Sequence, residues 1–303
     1  MINNLNSKKV LNLINKMDID KAFEFYNIDN LYKRKCYKCA EEINKNEYYT
    51  KALERVYEVL YCNDFSTIKE LWNIKDINKL FAKNINPFVT NLMIILGYKF
   101  HKNNMNRYRF DFNQINIHKI RVKECFENDL IIRGYEGVRI SQMLWAIYFI
   151  RGKLIEIGRL QYEYFIDERN MVIIKIHIPK GSKLDINDVK KSIYDSKYIL
   201  EKIYDIKNFK YLCNSWLLSN QIYEIVDKGS NIAKFHDLFS VTDGIECTAD
   251  ILNFVYNINE CNNYMMLQED TSLQKNIKKQ LLDNKQFYLG IGTLITSSTK
   301  KNI

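Results

Sequence analysis

Gly158-Arg159-Leu160-Gln161-Tyr162-Glu163-Tyr164-Phe165 and Val172-Ile173-Ile174-Lys175-Ile176-His177-Ile178-Pro179-Lys180-Gly181 decide how this chain folds. Both alternate with period two, so successive side chains point to opposite faces. In the first, Arg159, Gln161 and Glu163 face one way while Leu160, Tyr162 and Tyr164 face the other. In the second, Ile173, Lys175 and His177 lie opposite Val172, Ile174, Ile176 and Ile178. Two strands with one apolar and one mixed face, joined by the polar Asp167, Glu168, Arg169 and Asn170, predict an antiparallel hairpin. The second strand stops at Pro179-Lys180-Gly181 and feeds a helix, an arrangement that often holds ligands in α/β proteins.

Working outward, Asp185 suits the N-cap of that helix and Asp188 its third position. Ile186, Val189, Ile193, Leu200 and Ile203 make its apolar stripe. Lys210 to Leu218 reads as a further strand, with Cys213 and Ser215 on one face and Asn214 and Trp216 on the other. Cys213 is either a nucleophile beside Ser215 or a buried structural thiol. Ser219 or Asn220 caps a short helix carrying Ile222, Tyr223 and Val226. Gly229 ends it, and Ser230 caps another with Ile232, Phe235 and Phe239. Phe287 to Ile295 reads as a last strand.

The front of the chain has a different texture. Its first glycine is Gly97 and its one proline is Pro87, so turn signals are sparse and helices are expected. Ser7 caps a helix carrying Val10, Leu11, Leu13, Ile14 and Met17. Tyr48, Ala52, Val56 and Leu60 form a helical stripe, and Thr67 with Glu70 makes a capping box. Asn86-Pro87 places proline at a first helical position, and Val138 to Ile150 reads as a buried helix. The change of period after Gly152 predicts an all-helical domain over 1–150 and a mixed, mostly antiparallel sheet with flanking helices over 151–303, an α+β chain.

Composition narrows the function classes. The 303 residues carry a formal net charge of +9. The lysines are spread along the chain with no basic run or arginine stripe, so nucleic acid is not expected as a partner. The seven cysteines are odd in number and irregularly spaced. Cys36-Tyr37-Lys38-Cys39 has no second pair at zinc-finger spacing, so reduced thiols, a cytoplasmic location and no metal are expected. The first residues lack an apolar signal region, and the apolar run Met143 to Ile150 is far short of the roughly 20 residues a membrane span needs, so no membrane partner is expected.

The order strand, strand, loop, helix, strand, helix and closing strands resembles the second half of the GNAT acyltransferase fold. The words Gly158–Glu163, Ile176–Gly181, Cys213–Leu218 and Ser230-Asn231-Ile232 resemble a bacterial family of two-domain acyltransferase-like proteins. In that family a helical N-terminal acyltransferase-associated domain precedes a GNAT-like C-terminal domain. The resemblance implies an acyl-CoA-dependent N-acyltransferase, taking acetyl-CoA or a longer acyl-CoA as co-substrate and a small-molecule or peptide amine as acceptor. It implies a gap between two splaying strands, lined by Ile176, Ile178 and Ser215. It also implies a diphosphate cradle at Lys180, Gly181, Ser182 and Lys183. The loop departs from the family's Q/R-x-x-G-x-G/A pattern, with Gly181 its single glycine. His177 and Glu163 are the base candidates, and the resemblance makes Tyr223 the acid. The alternative is a GNAT-shaped module without catalysis that binds a ligand, or a protein through the helical domain.

Overall fold

The computed structural model describes residues 16–62, 86–133, 137–181, 183–258 and 260–295. The expected helix behind Ser7 and the capping box of Thr67 and Glu70 fall outside these residues. By its internal contacts the chain divides into two compact units, Met1–Ile155 and Glu156–Ile303.

The first unit is helical. Its described helices are α1 (Lys16–Tyr26), α2 (Asn30–Asn44), α3 (Glu47–Tyr57), α4 (Val89–Leu96), α5 (Tyr98–Arg107), α6 (Phe112–Arg133) and α7 (Ile140–Ile150). Asp29 caps α2 and Asn46 caps α3, each through a carboxyl or amide oxygen on backbone N–H groups of the first turn. The stripe through Ala52, Val56 and Leu60 is buried as expected, but Tyr48, at the exposed start of α3, lies outside it. Pro87 does not open α4. Asn86 forms a turn instead, accepting from Phe88 through its side chain and from Val89 through its carbonyl, and the helix starts two residues later. Cys36 and Cys39 lie one turn apart on α2, both buried. No described helix is long and apolar enough to cross a membrane.

The second unit is built on a six-stranded sheet with the order β1-β2-β3-β4-β6-β5. The strands are β1 (Leu154–Ile157), β2 (Leu160–Ile166), β3 (Val172–His177), β4 (Lys210–Ser215), β5 (Phe239–Glu246) and β6 (Tyr288–Leu294). β2 and β3 form the expected hairpin, in register from Ile166↔Val172 to Gln161↔His177. Its turn is closed by Asp167, which accepts from Arg169 and Met171, and by Asn170 at φ 58°. Only β3 and β4 run parallel among the described neighbours whose register is known.

Between β3 and β4 runs α8 (Ile186–Tyr204), which covers the apolar face of Tyr162, Ile174 and Ile176. Of the predicted stripe, Val189 and Leu200 are deeply buried while Ile186, Ile193 and Ile203 are half-buried. The deeply buried positions are Val189, Ser192, Ser196 and Leu200. Ser192 and Ser196 sit there because buried tyrosine hydroxyls need partners. Ser192 bonds Tyr162 at 2.8 Å and Ser196 bonds Tyr211 at 2.6 Å.

Two further predictions change at strand ends. β4 stops at Ser215, and Trp216–Leu218 forms a 3-10 turn, so Trp216 does not share a strand face with Asn214. The turn brings the Leu218 carbonyl against Gly290 of β6, where a Cβ would come within 2.0 Å of it, so only glycine fits there. Phe239 opens β5 rather than closing the preceding helix. The short helices are α9 (Asn220–Ile225), after Ser219, and α10 (Asn231–His236), capped by Ser230. Between β5 and β6 the chain inserts α11 (Thr248–Tyr256) and α12 (Ser272–Leu282), neither of which the sequence pattern singled out. Their core is Ile251, Leu252, Ile277, Leu281 and Phe287.

Candidate active site

The parallel pairing of β3 and β4 is short. It runs from Ile173↔Lys210 to Lys175↔Leu212, although β3 continues to His177 and β4 to Ser215. Beyond Leu212, β4 pairs with β6 on its other side, through Cys213↔Gly292 and Ser215↔Gly290. The described pairing therefore leaves Ile176 and His177 on one strand and Cys213 to Ser215 on the other without a ladder between them. A gap of this kind exposes backbone N–H and C=O groups that an amide-bearing ligand can pair with.

At the open end of β3, His177 Nε2 lies 2.8 Å from Glu163 Oε2. The β2–β3 register explains the meeting, since Glu163 stands opposite Lys175 and diagonal to His177 on the same face. Lys175 Nζ approaches the other carboxylate oxygen at 3.5 Å. Burial raises the Glu163 pKa and is the largest single influence. The bond from His177 and the charges of His177 and Lys175 together outweigh it, holding the carboxyl below its ordinary value. An ionised carboxylate only accepts, so Nε2 carries a proton, and in the neutral ring Nδ1 carries the lone pair. The two base candidates are thus a pair: Glu163 orients the ring and His177 presents it.

The polar face of β2 is buried along its length. Gln161 donates to Glu156 at 2.8 Å. Arg159 donates from Nε to the Lys183 carbonyl at 2.9 Å and from a terminal nitrogen to the Pro179 carbonyl at 3.0 Å. These bonds clamp both ends of the loop between β3 and α8. A trans peptide holds its C=O and N–H antiparallel, and no cis peptide occurs among the described residues, so the N–H groups of Lys180 and Leu184 point away from Arg159. Gly181 sits at φ 123°, a conformation open to glycine, with nothing within 4 Å of where a Cβ would stand. Ser182 lies outside the described residues. Lys180 and Lys183 are exposed, and Lys180 Nζ donates to Asn257 Oδ1 at 2.6 Å. The first amides of α8 are already taken: Asp185 accepts from Asn187 and Asp188.

Ile176 is buried and Ile178 half-buried. Ser215 is half-buried, and its hydroxyl accepts from Leu217 N at 3.2 Å, capping the 3-10 turn. Cys213 is fully buried, and burial pushes its thiol up to about 12, which makes it structural rather than nucleophilic. Tyr223 has its own set of contacts. Its ring stacks on His236 at 4.2 Å, Lys228 Nζ lies over it at 3.3 Å, and a hydrogen bond to Asp237 holds its phenol above the ordinary value. The structure therefore joins Glu163 to His177, with Lys175 on their shared face as the strand period implied, and adds Arg159, to which sequence reasoning assigned no role. The missed signal was the unbroken polar face Arg159, Gln161 and Glu163, all three of them buried. No group of three His, Cys, Asp or Glu side chains suited to a metal ion occurs among the described residues.

Comparison with known proteins bears on the fold. Residues 154–294 match the model of the GNAT-like C-terminal domain. No curated protein sequence matches the chain. Among solved structures, an acyltransferase in complex with decanoyl-CoA and teicoplanin superposes with a TM-score of 0.72 at 15% identity, over 91% of this chain and 86% of that one. A mutant acyltransferase in complex with octanoyl-CoA gives 0.71 at 14%, over 92% and 87%. An acyltransferase in complex with decanoyl-CoA gives 0.67 at 16%, over 91% and 86%. At these identities the likeness is one of fold. The back of the chain is a GNAT-like C-terminal domain, preceded by a helical region as the two-domain resemblance implied.

Proposed function

We propose that this protein transfers an acyl group from an acyl-CoA thioester to the amine of a small-molecule or peptide acceptor. The observation that carries the reading is the gap between β3 and β4, with the His177–Glu163 pair at its edge and an outward-facing, lysine-bearing loop directly after it. Structural neighbours of the same fold hold decanoyl-CoA or octanoyl-CoA, and one holds teicoplanin as well. An acyl chain longer than acetyl is the natural first substrate to try.

In this scheme the pantetheine arm lies in the gap beside Ile176, Ile178 and Ser215, and the diphosphate rests on the amides of the loop from Lys180 to Leu184, assisted by Lys183. The acceptor nitrogen attacks the thioester carbonyl, forming the C–N bond as the C–S bond breaks. His177 Nδ1 takes the amine proton, Glu163 stabilises the imidazolium, and that proton goes on to the departing thiolate. The products are an amide and free CoA. Tyr223, whose hydroxyl is committed to Asp237, is not needed for this proton balance. A cytoplasmic location, where acyl-CoA thioesters are made, belongs to the same proposal.

The second reading, a binding module without turnover, is favoured by Asp185, which occupies helix amides that could otherwise serve a phosphate. Thermal denaturation with octanoyl-CoA tests the ligand. A ligand at about 100 times its dissociation constant stabilises by roughly 2.7 kcal/mol, a clear rise in Tm. No rise at millimolar octanoyl-CoA or acetyl-CoA sinks the acyl-CoA reading. A rise without CoA release, across a panel of amines and peptides, selects the binding module.

A further inference from the structure

The C-terminal ends of β3, β4 and β5 share one edge of the sheet, because β3 runs parallel to β4 and both β4 and β5 pair antiparallel with β6. The inserted helix α11 emerges at that edge. Asn257, the cap that follows its last residue, left-handed at φ 57°, accepts the bond from Lys180 in the loop after β3. One turn earlier, Phe254 stacks on Trp216 with centroids 6.4 Å apart and planes 19° from parallel. Trp216 directly follows Ser215, the last residue of β4. Ser215, Trp216, Phe254, Asn257 and Lys180 thus form a continuous rim from the end of β4 back to the loop that follows His177. Phe254 is stacked on one side yet keeps 50% of its surface exposed.

An open aromatic face next to an ammonium and an amide has the composition of a nucleotide site, since a base stacks on the ring and a phosphate pairs with the lysine. We propose that the Phe254–Trp216 plate binds the adenine of the CoA nucleotide, with Lys180 beside its 3′-phosphate. The inference rests on the acyl-CoA reading above. It follows from the order of groups along CoA: the diphosphate joins the pantetheine arm, which enters the gap, to the adenosine, which must leave the loop outward along this rim. The cationic neighbour argues for a phosphorylated nucleoside rather than an alkyl chain.

Calorimetric titration of octanoyl-CoA, acetyl-CoA, octanoyl-pantetheine and adenosine 3′,5′-bisphosphate into the full chain tests the assignment. Phe254→Ala is expected to weaken octanoyl-CoA, acetyl-CoA and the bisphosphate by about tenfold, within the range of base stacking, and to leave octanoyl-pantetheine unchanged. Phe254→Trp is expected to restore binding. Equal weakening of the CoA and pantetheine thioesters, loss confined to the octanoyl compounds, or no change in any of them overturns the plate. If wild-type protein binds none of the four, the acyl-CoA reading itself falls. If it binds both thioesters and Phe254→Ala changes neither, only the plate falls.

Discussion

In the helical unit His118 lies among aromatic rings, 4.6 Å from Phe110 and 5.2 Å from Phe149 between centroids, with His101 5.7 Å away. In the GNAT-like unit His177 sits at a strand end, 28% exposed, with a carboxylate at 2.8 Å. Burial pushes His118 down to about 3, and burial, His118 and Lys119 hold His101 well below its ordinary value. Both helical-unit rings are therefore neutral packing groups, whereas His177 is held in orientation by the Glu163 carboxylate. The residue type is the same, and what differs is the neighbour: aromatic rings around His118, a carboxylate within hydrogen-bond distance of His177.

The largest effect is expected from breaking the oriented pair. His177→Gln should lower turnover of octanoyl-CoA with a competent amine by about 10²-fold or more, within the range for general base catalysis, while Tm stays nearly unchanged. Thiol release on the purified variant measures it. Preserved turnover with lost stability would place His177 beside His118 as a packing residue and erase the contrast.

The helical unit should respond to acid instead. An unfolded histidine titrates near 6.5, and His118 and His101 have lowered pKa values when folded, so protons bind the unfolded state first. Their contribution is complete above about pH 6.5 and is lost as pH falls below it, down to about 3 for His118, at up to roughly 1.4 kcal/mol per pH unit for each ring. Glu163 acts in a lower window. Its depressed pKa adds stability above the unfolded value near 4.3, which is lost as pH falls through the folded one. Denaturant midpoints at pH 7, 5.5 and 4.5 should fall in wild type and fall less in His118→Phe. An unchanged slope would show that the two rings do not govern the acid limb.

The smallest effect sharpens the role of Tyr223. Its hydroxyl is held on Asp237 and its ring on His236 and Lys228, so Tyr223→Phe should change turnover by less than about twofold if His177 returns the proton to the thiolate. A loss comparable to that of His177→Gln would restore Tyr223 as the acid.

Local signals were read from the chain with little loss. The β2–β3 hairpin, its Asn170 turn, the Asp185 and Ser230 caps and the shared face of Glu163, Lys175 and His177 all depend on residues a few positions apart or on a two-residue period. The same period could not say whether Arg159, Gln161 and Glu163 faced water or were buried. Nor did it expose α11 and α12, which connect β5 to β6 and whose apolar residues pack against each other.

The sequence by itself determined a helical front, a strand-and-helix back, which side chains share a face of each strand, and where the helix after β3 begins. Tertiary structure decided the rest: where the β3–β4 ladder stops, the 3-10 turn that takes Trp216 out of β4, the Arg159 clamp on two loop carbonyls, and the meeting of Phe254 with Trp216 and of Lys180 with Asn257. The physical reason is range. Periodicity and capping are set within a turn or a pleat of the chain. A loop's anchors here depend on partners 20 to 77 residues away, whose positions are set by the fold rather than by neighbouring residues.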